Sequence, residues 1–252
     1  MLRIALARLK QGHRTIAFPA QTPVLPARFR GLPVIDHTQC RENCQECLDV
    51  CPTQAITREG VKPQLDLGRC LFCTSCTEAC PTGAIRFTQD HRLATRRRED
   101  LLMQDQTLKL AEALESKSRR LFGRSLKLRQ VSAGGCNACE ADLNVLGTVV
   151  FDMGRFGIQF VASPRHADGL VVTGPVSENM RAALLETYSA TPAPKLVIAV
   201  GACAISGGPY LDNPETHNGC TALVPVDLFI PGCPPHPITI LDGLLRLLGR
   251  LE

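Results

Sequence analysis

The stretch Cys70-Leu-Phe-Cys73-Thr-Ser-Cys76-Thr-Glu-Ala-Cys80-Pro81 decides how the first part of this 252-residue chain is built. Its cysteines follow the spacing C-x2-C-x2-C-x3-C-P, and a second copy lies upstream. Cys51-Pro-Thr-Gln-Ala-Ile56 returns as Cys80-Pro-Thr-Gly-Ala-Ile85, 29 residues on. The same offset relates Cys44 to Cys73 and Cys47 to Cys76, whereas Cys40 and Cys70 are 30 apart. The difference is one additional residue in Cys40-Arg-Glu-Asn-Cys44. One small unit therefore occurs twice, over residues 36 to 90.

Three thiolates at this spacing can grip three corners of a 4Fe–4S cube from one short loop, and the fourth cysteine, carried onward by the turn, reaches the neighbouring cube. The pattern assigns Cys40, Cys44, Cys47 and Cys80 to one cluster and Cys51, Cys70, Cys73 and Cys76 to another. A zinc ribbon needs two well-separated C-x2-C pairs rather than doubled four-cysteine runs ending in Pro.

Composition narrows the class. Apolar residues make up 44% and charged residues 21%, an ordinary globular balance. No stretch approaches the ~18 consecutive apolar residues of a membrane-spanning helix. Aromatics are 4% with no Trp, so there is little from which to build a stacking platform, and a nucleic-acid partner is not expected. The start, Met1-Leu-Arg-Ile-Ala-Leu-Ala-Arg-Leu-Lys10, is basic and amphipathic but lacks the uninterrupted apolar run of a secretion signal. A cytoplasmic location follows, where clustered thiols hold metal rather than form disulfides.

Residues 92–129 carry eleven Arg or Lys against five Asp or Glu, and their leucines are loosely helical in spacing, which predicts a connecting helix with a basic face. Beyond residue 126 the texture changes. Runs at 126–131, 158–161, 169–173, 195–200 and 224–230 read as strands, and 140–146, 177–187 and 237–248 as helices, with Ser177 as an N-cap. Alternating strands and helices predict a doubly wound α/β fold with a largely parallel sheet, whose ligands gather at the carboxyl ends of strands. The domain organisation expected is 1–91 for the two-cluster unit with an amino-terminal arm, 92–125 for a basic helical linker, and 126–252 for the α/β domain.

The remaining cysteines fall after strands, in Gly134-Gly-Cys136-Asn-Ala-Cys139-Glu140, Gly201-Ala-Cys203-Ala204 and Pro231-Gly-Cys233-Pro-Pro235. Four thiolates on three loops at one sheet edge can enclose a third cube, although a structural zinc site built from four cysteines has the same donor set. Glycines there let the backbone approach the sulfur atoms and prolines stiffen the loops. Twelve of the 13 cysteines are then used, and Cys220 is left as a free small residue near the last strand. Glu140 suits the dipole of the helix it opens. Arg165 and His166 suit docking of a partner or tying down a loop, and His236, between two prolines, suits a structural role. No phosphate-binding glycine motif is present.

With Phe29-Arg-Gly31 and Leu67-Gly-Arg-Cys70, residues 1–100 resemble the two-cluster ferredoxin subunits of formate hydrogenlyase-type hydrogenases and respiratory complex I. The additional residue between Cys40 and Cys44 departs from that pattern and reads as a one-residue bulge. Phe151-Asp-Met-Gly-Arg-Phe-Gly157, Ser163-Pro-Arg-His-Ala-Asp168 and Val224-Pro-Val-Asp227 make residues 126–252 resemble the small subunit of energy-converting nickel–iron hydrogenases, homologous to the terminal-cluster subunit of complex I.

The resemblance implies a flavodoxin-like carboxyl-terminal fold beside a small α+β ferredoxin unit. It also implies that Cys136, Cys139, Cys203 and Cys233 hold a proximal 4Fe–4S cluster, making three clusters in all, and that Glu140 has a place on a proton path near it. Adjacent cysteines mark the complex I relatives, whereas the spaced Cys136 and Cys139 are the hydrogenase form. Implied partners are a nickel–iron large subunit or its homologue, membrane-arm subunits, and a redox donor such as a formate dehydrogenase or ferredoxin. The expected location is the cytoplasmic face of the inner membrane. No catalytic metal centre is expected on this chain. A quinone-reducing complex I-like subunit and an iron–sulfur assembly scaffold are the alternatives.

Overall fold

The computed structural model describes residues 2–60, 62–103 and 107–251. It opens with helix α1 (Leu2–Gln11), whose residues are all exposed. An extended arm follows, then β1 (Pro33–Ile35), α2 (Glu46–Asp49), β2 (Ile56–Glu59), β3 (Lys62–Asp66), α3 (Ser75–Ala79) and β4 (Ile85–Phe87). Strands β1 and β4 pair antiparallel, Ile35 opposite Ile85, and β2 and β3 form a hairpin. This is the α+β ferredoxin pattern, with one short helix per repeat.

The connecting segment departs from expectation. Residues 99–101 form a single 3-10 turn, β5 (Leu102–Met103) pairs with β3, and among the described residues of the segment only α4 (Ser116–Phe122) is an α-helix. The leucines of this stretch serve packing rather than a helical stripe: Leu101 and Leu114 are buried against different neighbours. Nor is the basic character wholly solvated. Arg96 Nε donates to the Asp227 carbonyl at 2.7 Å, and Arg98 forks onto Asp66.

The carboxyl-terminal part is built from β6 (Leu126–Ser132), α5 (Ala138–Val145), β7 (Ile158–Phe160), β8 (Gly169–Thr173), α6 (Glu178–Ala190), β9 (Leu196–Val200), α7 (Ala202–Ser206), β10 (Leu228–Ile230) and α8 (Pro237–Leu247). Its five strands are all parallel, in the order β10-β9-β8-β6-β7. Renumbered within the sheet this is the 2-1-3-4-5 order of flavodoxin-like folds, with its switch point between β6 and β8.

Alternate residues of the central strands serve two cores. Leu170, Val172, Val197 and Ala199 face a core shared with Leu65, Leu67 and Phe72 of the ferredoxin part. Val171, Ile198 and Val200 face α8, where Leu241, Leu244 and Leu245 are fully or almost fully buried, each contributing about 1.5–3 kcal/mol. The last strand is shorter than the run that predicted it. Pro225 lies outside it, and Asp227 meets Val197 through its side chain, accepting from Val197 N at 2.9 Å. Ser177 stands at the N-cap position of α6, but its hydroxyl makes no capping hydrogen bond.

The two parts are fastened at several points. Thr95 bridges to Phe229 on the sheet edge, and Ser206 Oγ donates to the Gly68 carbonyl at 2.8 Å. The connecting segment that carries Thr95 is in turn held to the ferredoxin part by the Arg98–Asp66 fork, with bonds of 2.9 and 2.6 Å. Gly68 N donates to the same carboxylate at 2.8 Å. A Cβ at Gly68 would meet Arg98 Cζ and Ile205 Cγ2, each at 2.9 Å, so a side chain there would press on the fork. The amino-terminal arm crosses the far part: Ile16 N donates to Val150 O and Arg155 Nη2 to Phe18 O. Among the described residues, no helix is long and apolar enough to cross a membrane.

Arg98→Ala leaves the largely buried Asp66 carboxylate with only Gly68 N and the looser Arg69, 3.8 Å away. The expected loss is about 2–3 kcal/mol, below the range for a fully enclosed pair because both groups keep some solvent contact. Anaerobic urea unfolding measures it as a lowered midpoint at constant slope.

Candidate metal centres

The doubled cysteine runs fold into two neighbouring thiol groups. Cys40, Cys44, Cys47 and Cys80 line one cavity, and Cys51, Cys70, Cys73 and Cys76 line another. Each set takes its fourth cysteine from the other run. Cys47 lies on α2 and Cys76 on α3, while Phe72 and Thr74 adopt φ of +54° and +73° to turn the loop around its sulfurs. Asn43, the counterpart of Phe72 one repeat earlier, takes φ +59°, so both runs turn the same way before their second cysteine despite the additional residue of the first. All four thiols still line the cavity.

Backbone N–H groups point at the sulfurs. Ala55 N donates to Cys51 Sγ at 3.2 Å and Phe72 N to Cys70 Sγ at 3.4 Å.

The third group forms at the carboxyl ends of β6, β9 and β10. Cys136 and Cys139 enter α5 by way of Asn137, at φ +69°, Cys203 lies on α7, and Cys233 follows β10. Gly201 has φ +89°, and a Cβ there would lie 2.5 Å from Cys139 Sγ. A side chain at this position would occupy the space beside the sulfur. Cys136 and Cys233 are exposed, so this group opens to the surface.

All thirteen cysteines are free thiols. Burial pushes Cys47 up to about 11 and Cys70 and Cys203 up to about 12, and neighbouring thiols add to the rise. Cys139 is raised further by burial and by Cys203. Cys80 is the exception. Burial pushes it up, but the Thr82 hydroxyl and the N–H groups of Thr82, Ala84 and Ile85 bring it below its usual value. Crowded, buried thiols resist ionisation unless a cationic guest takes them as a set, which is the chemistry of an iron–sulfur site. Among the described residues, no three His, Cys, Asp or Glu side chains converge as a single ion requires; the thiols surround cavities rather than a point.

The groups adjoin in sequence. Cys47 and Cys76 sit on α2 and α3, which pack together, and Cys233 lines one pocket with Phe72, the neighbour of Cys73. The order is therefore an outer group (Cys40, Cys44, Cys47, Cys80), a middle group (Cys51, Cys70, Cys73, Cys76) and an edge group (Cys136, Cys139, Cys203, Cys233). Arg30 Nη1 donates to the Phe72 carbonyl at 2.8 Å and holds the loop between the last two.

Glu140 is buried in the first turn of α5, where Oε1 accepts from Ser132 Oγ and Thr173 Oγ1, both at 2.6 Å. These hydroxyls sit at the ends of β6 and β8, on the switch point. Their partnership with Glu140 carried no sequence signal, because it depends on strand register. His236 caps α8, its Nδ1 accepting from Ile238 N at 3.2 Å. Arg165 and His166 lie exposed in a turn before the amino end of β8 and do not join the thiols at the carboxyl ends. Cys220 is fully buried among apolar residues, where burial raises it to about 12.

Comparison with known proteins agrees with this architecture. The family described as NADH ubiquinone oxidoreductase, 20 Kd subunit, matches residues 136–247, and the 4Fe-4S dicluster domain matches residues 35–84. A probable membrane-bound hydrogenase subunit of Pyrococcus furiosus is 42% identical over 132 residues, 52% of this chain and 79% of the relative. The chain belongs to the 20 Kd subunit family. Formate hydrogenlyase subunit 7 of Escherichia coli is another similar member, 45% identical over 129 residues, 51% of each chain. An NADH-quinone oxidoreductase subunit of Heliobacterium modesticaldum is 38% identical over 121 residues, 48% of this chain and 69% of that one. This member of the 20 Kd subunit family is thus an oxidoreductase subunit for electron transfer, with a 4Fe–4S dicluster unit ahead of the family domain.

Thr173→Val removes one of the two hydroxyl donors to the buried Glu140 carboxylate and should cost about 1.5–3 kcal/mol. Thr173→Ser keeps the hydroxyl and should recover most of it, as differential unfolding of the two variants would show.

Proposed function

We propose that the chain is the electron-relay subunit of a membrane-associated nickel–iron hydrogenase. Residues 1–91 and 126–252 act as two functional units joined by 92–125. The outer and middle groups would hold the two ferredoxin clusters, and the edge group the proximal one. When bound, each 4Fe–4S cluster supplies a one-electron site. The observation that carries this reading is the row of three adjoining thiol groups ending at a surface where Cys136 and Cys233 are exposed. A relay needs such adjacency, and an exposed end needs a partner to cover it.

This chain's own residues do the positioning. Arg98, Asp66 and Ser206 keep the ferredoxin part seated on the sheet. Arg30 holds the Phe72 loop at the junction. Ser132 and Thr173 hold Glu140 beside Cys139, where it would take part in proton movement at the proximal site.

The nickel–iron centre belongs on a large subunit, because twelve thiols are assigned and Cys220 is sealed in the core. A formate dehydrogenase or soluble ferredoxin would be the redox partner. Membrane-arm subunits would place the assembly on the cytoplasmic face of the inner membrane. Exposed Leu2, Leu6 and Leu9 of α1, flanked by Arg3 and Lys10, suit that surface.

The spaced Cys136 and Cys139 favour this reading over a quinone-reducing complex I-like subunit. Reversible electron exchange without cluster loss would set it apart from an assembly scaffold.

Two measurements test the proposal. Nickel in the complex that co-purifies anaerobically with the chain should approach one atom per assembly, and its absence from a complex containing the large subunit would move the chain to the quinone-reducing group. Cys136→Ser should lower iron content by about one third, whereas Cys220→Ser should keep the full complement. Iron loss in the latter would overturn the ligand assignment.

A further inference from the structure

The outer and middle thiol groups are near copies in sequence, but their surroundings differ in charge. Arg41 and Arg58 line the outer cavity, whereas no charged side chain lines the middle one among the described residues. Arg58 stands on β2, and its Nη2 donates to the Cys44 carbonyl. Its Nε is buried without a hydrogen-bond partner among the described residues. A buried guanidinium N–H beside four thiols lacks an acceptor, and the sulfur of a bound cluster would supply one. Asp36 is the acidic group acting on the same thiols. Its carboxylate is occupied by Thr38 and Gln39 at 2.6 and 2.7 Å, and it affects Cys40 less than Arg58 does. Arg41, within Cys40-Arg-Glu-Asn-Cys44, is exposed at the mouth of this cavity and lines it as well.

We propose that Arg58, assisted by Arg41, makes the outer cluster more easily reduced than the middle one, so that the outer site collects electrons and the middle site is the uphill step of the relay. This rests on the three-cluster reading. One electron from the donor takes a 4Fe–4S cluster from 2+ to 1+ with no proton transferred. A fixed positive charge in a site of low dielectric favours the more negative reduced form. Arg58 is thus a positioning residue that acts through the cluster's potential.

The test is a potentiometric titration of the anaerobically purified full-length chain, followed by EPR and accompanied by iron counts. Cys47→Ser identifies the outer signal as the one it removes. In the wild type, that signal should appear at a higher potential than the middle cluster's. Arg58→Gln should lower its midpoint by at least a tenfold change in reduction equilibrium, about 59 mV for one electron, and leave the other two unmoved. Arg58→Lys, which keeps the charge, should restore most of the shift.

If Arg58→Gln fails to load the outer cluster, Arg41→Gln decides, because no side-chain hydrogen bond of Arg41 pins the loop. It should shift the same signal downward by a smaller amount. An unchanged midpoint in Arg58→Gln, or in Arg41→Gln where Arg58→Gln does not load, overturns the inference. A wild-type chain short of iron by one cluster, with Cys47→Ser removing none, would instead refute the three-cluster reading.

Discussion

Two parallel hydrogen bonds between Arg98 and Asp66 clamp the connecting segment onto the ferredoxin unit, and Thr95 and Arg96 fix the same segment to the parallel sheet. Electron transfer between fixed sites depends steeply on their separation, so a relay assembled from two folding units needs a joint that does not rock. The fork supplies direction as well as attraction, because a guanidinium meets a carboxylate in one plane. Gly68 lets the two sides close, and Ser206 ties α7 to the same turn. The shared apolar core under Leu67 and Ile205 then excludes water around the joint. Removing the charge pair would leave that core intact but its alignment less well specified.

The parallel sheet imposes the second constraint. Because its strands all run one way, the loops that follow β6, β9 and β10 emerge on the same edge. Three remote stretches of sequence are thereby brought together without a dedicated scaffold. The flavodoxin-like switch point puts Glu140, Ser132 and Thr173 at the same edge, so a buried carboxylate and four thiols become neighbours through topology.

Much of this is legible in the sequence, where spacing is local. The doubled cysteine runs predict two crossed thiol groups because ligand geometry is set within a dozen residues. Alternating apolar runs predict the parallel sheet because both its faces are buried. The connecting segment misleads for an equally physical reason. Leu101, Leu108, Leu110 and Leu114 have near-helical intervals, but Leu101 closes a 3-10 turn and packs in one core with Leu108, while Leu114 packs in the other. Arg96 and Arg98 read as solvent-facing charge, and only the folded neighbours reveal Asp227 and Asp66 as their destinations. Ser177 carries the residue type and backbone of a cap without the hydrogen bond. Arg58 gives no signal at all, since its importance lies in what it faces rather than in any motif.

The amino-terminal arm has a consequence for how the protein comes into being. Thr15 hydrogen-bonds to Val149, 134 residues further along, and Phe18 accepts from Arg155, 137 residues from it. A ribosome releases the arm long before those acceptors and donors exist. The ferredoxin unit can close behind it while the rest is still being translated. The arm can therefore settle only once residues 149–155 have emerged, after the ferredoxin unit that follows it in the sequence.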